Sequence, residues 1–331
     1  GIRDAQESRG LGDVYKRQST NYAALLADAI AINGTVTAAN AAVGAGNFTY
    51  NNQTGEMNSL GKTATVMQMI FPEYSIDISN LGGIKANSII MVGNTLGLGV
   101  RNKGTITANA ALAMTSYGSL VNEGSINTNG LMAKMASLGD MKNTGTINST
   151  AYVTQLSSVG TLTNEGTIAS SKQIAISATG DLVNAGTMKG TQLLSVASGG
   201  NLTTRKGSNT VSDGQLAVSA NNIDNAGSMR GNITYVEFSG DKLKVTGELR
   251  GHSTLTVQSK KDDKVNSGLI YNTGSISGND VTIITNGNLD QEGNIIGQNS
   301  LSIKSNVLDN VYYIYGKSLN IESNYVRNRA T

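Results

Sequence analysis

Apolar and polar positions alternate along most of this chain in short runs. Between Gly166 and Met188, the residues Ile168, Ile174, Ile176 and Leu182 stand among polar neighbours. Within each run the spacing is two, the period of a strand with one buried face. Helical spacing is not sustained anywhere in this region. Three strands of about four to six residues, separated by Gly, Asn and Ser corners, fit each period of the pattern.

The period itself is constant. A unit of the form apolar-x-Asn-x-Gly-Thr/Ser-apolar runs through Val100, Asn102, Gly104 and Ile106, then Leu120, Asn122, Gly124 and Ile126. It returns at Met141, Asn143, Gly145 and Ile147, at Leu162, Asn164, Gly166 and Ile168, and at Leu182, Asn184, Gly186 and Met188. A degenerate copy surrounds Leu202 and Gly207. Ile223, Asn225, Gly227 and Met229 follow, then a worn copy at Gly247, then Ile270, Asn272, Gly274 and Ile276, and last Leu289, Gly293 and Ile295. From Gly104 to Gly247 the glycines step by 20 or 21 residues. Repeats of this kind are the signature of a solenoid. The pattern predicts an all-β fold, a right-handed parallel β-helix of about 20–21 residues per coil, with about eleven coils between Gly99 and the C-terminus at the ~4.8 Å strand spacing. The step from Gly247 to Gly274 is 27, and the excess falls on Lys260 to Lys264, which predicts a polar loop on the outside of a coil.

The structural corner positions are therefore Asn102, Gly104, Asn122, Gly124, Asn143, Gly145, Asn164, Gly166, Asn184, Gly186, Asn225 and Gly227. Gly and Asn tolerate φ > 0, and this predicts a left-handed backbone at the bends. Asn residues stacked coil on coil are placed to form a hydrogen-bonded ladder, as in cross-β assemblies. The pattern leaves open whether these side chains face inward or outward.

Composition narrows the picture. There is no Cys and no Trp, only three Phe and a single proline, Pro72, so Leu, Ile, Val, Met and Ala fill the core. Disulfides and thiolate metal sites are excluded. Lys and Arg number 25 against 23 Asp and Glu, a net charge of +2 that gives no electrostatic reason to expect nucleic acid or an anionic membrane as partner. No apolar run approaches the ~20 residues of a transmembrane helix. Residues 1–18 differ from the rest, with seven charged residues against forty-one in all that follows. Asp13-Val14-Tyr15-Lys16-Arg17-Gln18 is also a direct translation of GATGTGTATAAGAGACAG, a string that resembles the transposase-end adapter of sequencing libraries. Residues 1–18 are accordingly read as a non-native segment, with the natural N-terminus and any signal peptide upstream.

The region after Gln18 resembles the filamentous haemagglutinin family. Asn21 to Ala38, with Asn33-Gly34 inside it, and Ala42 to Asn47 are similar to the late part of the family's two-partner secretion domain. Ser75-Ile76-Asp77-Ile78 with Leu81-Gly82-Gly83 and Ala86 is similar to its "I-D-V-S-x-L-G-G-M-Y-A" segment. Ile90 to Gly93 and Gly97 to Gly104 resemble "L-V-G-T-E-x-G-V-G-V-R-N-x-G". Ile84-Lys85 stands where the family has Met-Tyr, Asn94-Thr95-Leu96 replaces Thr-Glu-x, and the Asn-Pro-Asn-Gly motif of the early secretion domain is absent. The resemblance implies that residues 19–98 are the C-terminal part of a secretion domain and 99–331 haemagglutinin-type repeats. It implies a secreted cell-surface protein of a Gram-negative bacterium, exported by an outer-membrane β-barrel transporter. Such a protein acts as an adhesin that meets a host or bacterial surface receptor or glycan, or as the spacer stalk of a contact-dependent growth-inhibition toxin.

Candidate chemistry is sparse, and no catalytic, cofactor or metal residue is assigned. His252 is the only histidine and cannot build a two-His metal site. No Gly-x-Ser-x-Gly motif offers it a serine nucleophile. A polysaccharide-cleaving β-helix would need two carboxylates roughly 5–9 Å apart. Glu123 and Glu165 share a corner position but lie two coils apart, with Thr144 between them. Gly93, Gly97 and Gly99 lack the spacing and the following helix of a phosphate loop. The sequons at Asn33, Asn47, Asn52, Asn148, Asn201 and Asn232 follow from Asn- and Thr-rich corners. Tyr312, Tyr313, Tyr315 and Tyr325 cluster near the end, placed either to stack on sugar rings or to cover a solenoid edge.

Overall fold

A computed structural model describes residues 12–13, 19–51, 54, 56–61, 73–260 and 268–329. Among these residues every regular element is a strand. The strands stack in parallel as about 14 turns of β-solenoid, divided between two compact units, Gly1–Lys172 and Gln173–Thr331.

One coil of the first unit shows how sequence becomes structure. Ser125–Thr128, Met132–Ser137 and Met141–Asn143 are its three strands, and inward and outward residues alternate along each. The next coil repeats them as Thr146–Ser149, Val153–Ser158 and Leu162–Asn164, paired residue on residue. Register therefore makes columns. Ile106, Ile126, Ile147 and Ile168 stack in one. Val100, Leu120, Met141 and Leu162 form another. All eight are buried. Each coil adds one layer of aliphatic side chains, and a coil alone would leave both faces of its layer in water, which is why the repeat must propagate.

The stacking passes through residues 98 and 99 without a break. Ser19–Ala27 pairs with Thr35–Ala45, that strand with Gly83–Gly93, and Gly83–Gly93 with Thr105–Ser116. One excursion leaves the coil here, an antiparallel hairpin of Phe48–Tyr50 and Met57–Ser59. Asn94 anchors its root, accepting from the Asn47 N–H at 2.8 Å and donating to the Ser59 hydroxyl at 2.8 Å.

The second unit has the same architecture. Ile176, Val196, Val218, Val236, Val257, Ile283 and Ile303 form one core column. Several coils fuse their first two strands into one, with a register shift at the corner, as in Ser228–Phe238 and Glu248–Ser259. Residues 261–267 lie outside the described residues, and with them most of the charged insertion. On either side of it, Lys242–Val245 still pairs in register with Leu269–Asn272. Of residues 1–18, only Gly12–Asp13 is described, as a short strand beside Ile30 and Ala31.

Candidate binding groove

The corner asparagines point inward. Asn102, Asn122, Asn143 and Asn164 are buried and form a ladder in the first unit. Each of the first three Nδ2 groups donates to the next Oδ1 at 2.8 Å. The same amides reach the carbonyl two residues on, as Asn143 reaches Gly145 at 3.2 Å, so each ladder rung also ties its own corner. In the second unit the column is mixed. Thr204 follows Asn184 in the column and donates to Asn225 at 2.5 Å, Asn272 donates to Gln291 at 2.7 Å, Val245 occupies one position, and Asn184 donates to the Thr210 hydroxyl of the neighbouring column at 2.9 Å.

The corner glycines do not serve the purpose their sequence suggests. Among the described residues, positive φ occurs at Gly46, Gly61, Gly97, Gly130, Gly207 and Gly268, and at none of Gly104, Gly124, Gly145, Gly166, Gly186 and Gly227. The expectation of a left-handed bend at the Asn-x-Gly corners is corrected. A Cβ on Gly124 would collide with the Gly104 carbonyl, one on Gly145 with that of Gly124, and one on Gly166 with that of Gly145. Glycine is required there by the close stacking of one corner on the next.

The residues weighed for catalysis are kept apart. Glu123 faces Lys103 at 3.9 Å, and Glu165 faces Lys142 at 3.2 Å. Both carboxylates are exposed and held in separate ion pairs. No group of three His, Asp or Glu among the described residues is placed to hold a metal. Gly97 sits at φ +84° in a turn, and Gly93 packs against the Ser75 side chain. Tyr312, Tyr313, Tyr315 and Tyr325 are exposed. Tyr313 and Tyr315 stack with ring centroids 6.3 Å apart.

His252 lies on the rim of a groove of about 440 Å³ in the second unit, at the corner between the first and second strands. One wall is the outward column Lys189, Val211, Arg230 and Arg250, in register over four successive coils. The other wall is Asp213, Asn232 and His252, and the floor is Ser212 and Gly231. Gly231 and Gly251 share one inward-facing column with Gly278 and Gly297. A Cβ on Gly251 would strike the Thr254 carbonyl, and one on Gly231 would lie 2.9 Å from that of Ile233. The Ser212 hydroxyl is buried beneath the groove without a hydrogen-bond partner. Lys189 is paired with Asp213 at 3.2 Å. Arg230 and Arg250 are exposed. Among the described residues, no ion pair or hydrogen bond engages either guanidinium. The sequence carries a signal for this wall that the repeat pattern masks: an Arg-Gly pair after an apolar residue, in Met229-Arg230-Gly231 and Leu249-Arg250-Gly251, recurs one coil apart.

No family model and no solved structure matches the chain. Two curated proteins do. The chain is 41% identical over 58 residues to "Toxin CdiA" of Yersinia pestis, covering 17% of this chain and 2% of that protein. It is 38% identical over 104 residues to "tRNA nuclease CdiA-2" of Burkholderia pseudomallei strain 1026b, covering 31% of this chain and 3% of that protein. The matched stretches thus span a few per cent of those much longer proteins. No helix among the described residues is long and apolar enough to cross a membrane. Parallel solenoid and partial matches together make the chain similar to the CdiA-related and haemagglutinin-like β-helical proteins.

Proposed function

We propose that this chain is a non-catalytic segment of the shaft of a large exported surface protein, and that the shaft displays adhesive determinants at fixed spacing. The observation that carries this reading is the joint occurrence of a parallel β-solenoid with partial matches to two CdiA proteins. Function then resides in the outward columns, since the inward ones are occupied by aliphatic side chains and the amide ladder. An outer-membrane β-barrel transporter is the export partner in this reading, the protein is extracellular or on the surface of a Gram-negative cell, and the adhesive target is a host or bacterial surface receptor or glycan. No cofactor enters it.

A second reading is favoured by the matched proteins' names, one a toxin and the other a tRNA nuclease. In it the segment is the spacer of a toxin-delivery stalk, and its length matters more than its surface. Deleting the segment in frame from the producing strain separates the two. Loss of attachment to target surfaces, with neighbouring cells still growing freely beside the parent strain, supports the adhesin. Growth inhibition of neighbours by the parent, relieved by the deletion, supports the stalk. Retention of the protein in the cytoplasm would overturn both.

A further inference from the structure

We propose that the groove walled by Arg230 and Arg250 binds an acidic polysaccharide, a linear sugar chain whose units carry carboxylate or sulfate groups. The inference stands on the groove's own chemistry and holds for either reading of the shaft.

Uncompensated like charge marks this place as different: the like-charged register pair Asp290 and Asp309 has Arg327 and Arg329 against Asp309. Elsewhere, charged residues that meet across coils are mostly of opposite sign. Asp224 pairs with Lys244 at 3.5 Å, Lys304 with Glu322 at 2.8 Å, and Lys142 with Glu165 at 3.2 Å. Arg230 and Arg250 are direct register partners of the same sign, and among the described residues no carboxylate forms an ion pair with either of them. Like charges facing across a parallel pair cost stability. An oxyanion between two guanidiniums removes that repulsion and gains charge-assisted, bidentate hydrogen bonds.

The geometry suits a chain. Lys189, Val211, Arg230 and Arg250 rise by one coil each, so the wall offers positions at a repeat of ~4.8 Å along the groove. A polymer lying along the groove can present its acidic groups at successive steps. The opposite wall supplies what sugar hydroxyls need. Asn232 offers its amide and His252 its ring, and the Ser253 hydroxyl donates to the Asn232 oxygen at 2.7 Å, which orients that amide. His252 carries the one ring in the lining, and no Phe, Tyr or Trp stands beside it, so the groove lacks the succession of stacking platforms by which single-stranded nucleic acids are held. Val211 is its one sizeable apolar residue, far from the aromatic cluster that anchors a protein partner.

The test is titration of the full chain with polygalacturonate, dextran sulfate, neutral dextran and a single-stranded oligonucleotide, at about 50 and about 200 mM salt. The double variant Arg230→Gln/Arg250→Gln is compared with Arg205→Gln/Lys206→Gln, which removes the same charge from another exposed corner of the same unit. Binding of one or both acidic polymers, weakened at least about tenfold by the first pair and less than about twofold by the second, is the expected result. The acidic polymer bound more tightly identifies the oxyanion. Neutral dextran is expected not to bind. Equal losses in the two double variants would reduce the effect to net charge and overturn the site, as would no binding of either acidic polymer. Equal or tighter binding of the oligonucleotide would overturn the polysaccharide assignment. Unchanged circular dichroism and melting of the groove variant exclude misfolding, since both arginines point to solvent.

Discussion

At the scale of single residues, the ladder asparagines carry more than their corners. Asn143 accepts from Asn122 and donates to Asn164, each at 2.8 Å, in a buried site where an unmet amide is costly. Asn143→Ala is expected to destabilise the first unit by about 2–4 kcal/mol, because it leaves a cavity and strips the Asn164 oxygen of a donor. Chemical denaturation followed by circular dichroism reads this. Tyr235 is a different case. Its hydroxyl donates to Glu237 at 2.6 Å, and this bond, with burial, pushes its pKa up to about 12. The folded state then holds the proton after an unfolded tyrosine near 10 has lost it. The stabilisation is complete below about pH 10 and is lost as pH rises toward 12. Alkaline unfolding of Tyr235→Phe is therefore expected to fall less steeply across that window than the parent's. An identical slope would contradict the assignment.

Within an element, the same residue type serves two purposes that only conformation separates. Gly124 has ordinary φ but no room, whereas Gly97 has φ +84° and open space around it. Gly97→Ala should cost about 1–2 kcal/mol, the strain of a left-handed alanine. Gly124→Ala should cost about 3 kcal/mol or more, because the obstacle is the backbone of the neighbouring coil. Comparison of the two melting temperatures checks the order. Gly231 and Gly251 are hemmed in differently, by the carbonyls of Ile233 and Thr254 in their own coil, so the bend beneath the groove belongs to the coil corner.

For the molecule as a whole, the outer faces matter more than the core. The cross-coil ion pairs are largely exposed, and each is worth about 0–1 kcal/mol. Raising salt should consequently leave the unfolding midpoint nearly unchanged. The strand Tyr313–Asn328 pairs in register with Asn294–Asn310, and Leu319 and Ile321 continue the core columns of Leu301 and Ile303, so the last described strand keeps the pattern of the coils before it.

The amino-acid sequence by itself determined the strand period, the coil length and the columns of Ile, Leu, Met and Asn. Each of these is a local pattern repeated at a constant step, and register only stacks what the pattern already holds. It also located the corners at Asn102 to Gly227, though not their mechanics. Direction and proximity were decided by the tertiary structure. That the asparagines face inward, and that Gly104, Gly124 and Gly145 answer to a neighbouring carbonyl and not to φ, depends on how closely coils pack. Arg230, Arg250 and His252 form a groove only because successive coils set residues about twenty apart side by side. No local signal separates a solvated arginine from one that lines a site, since the difference lies in what the next coil places beside it.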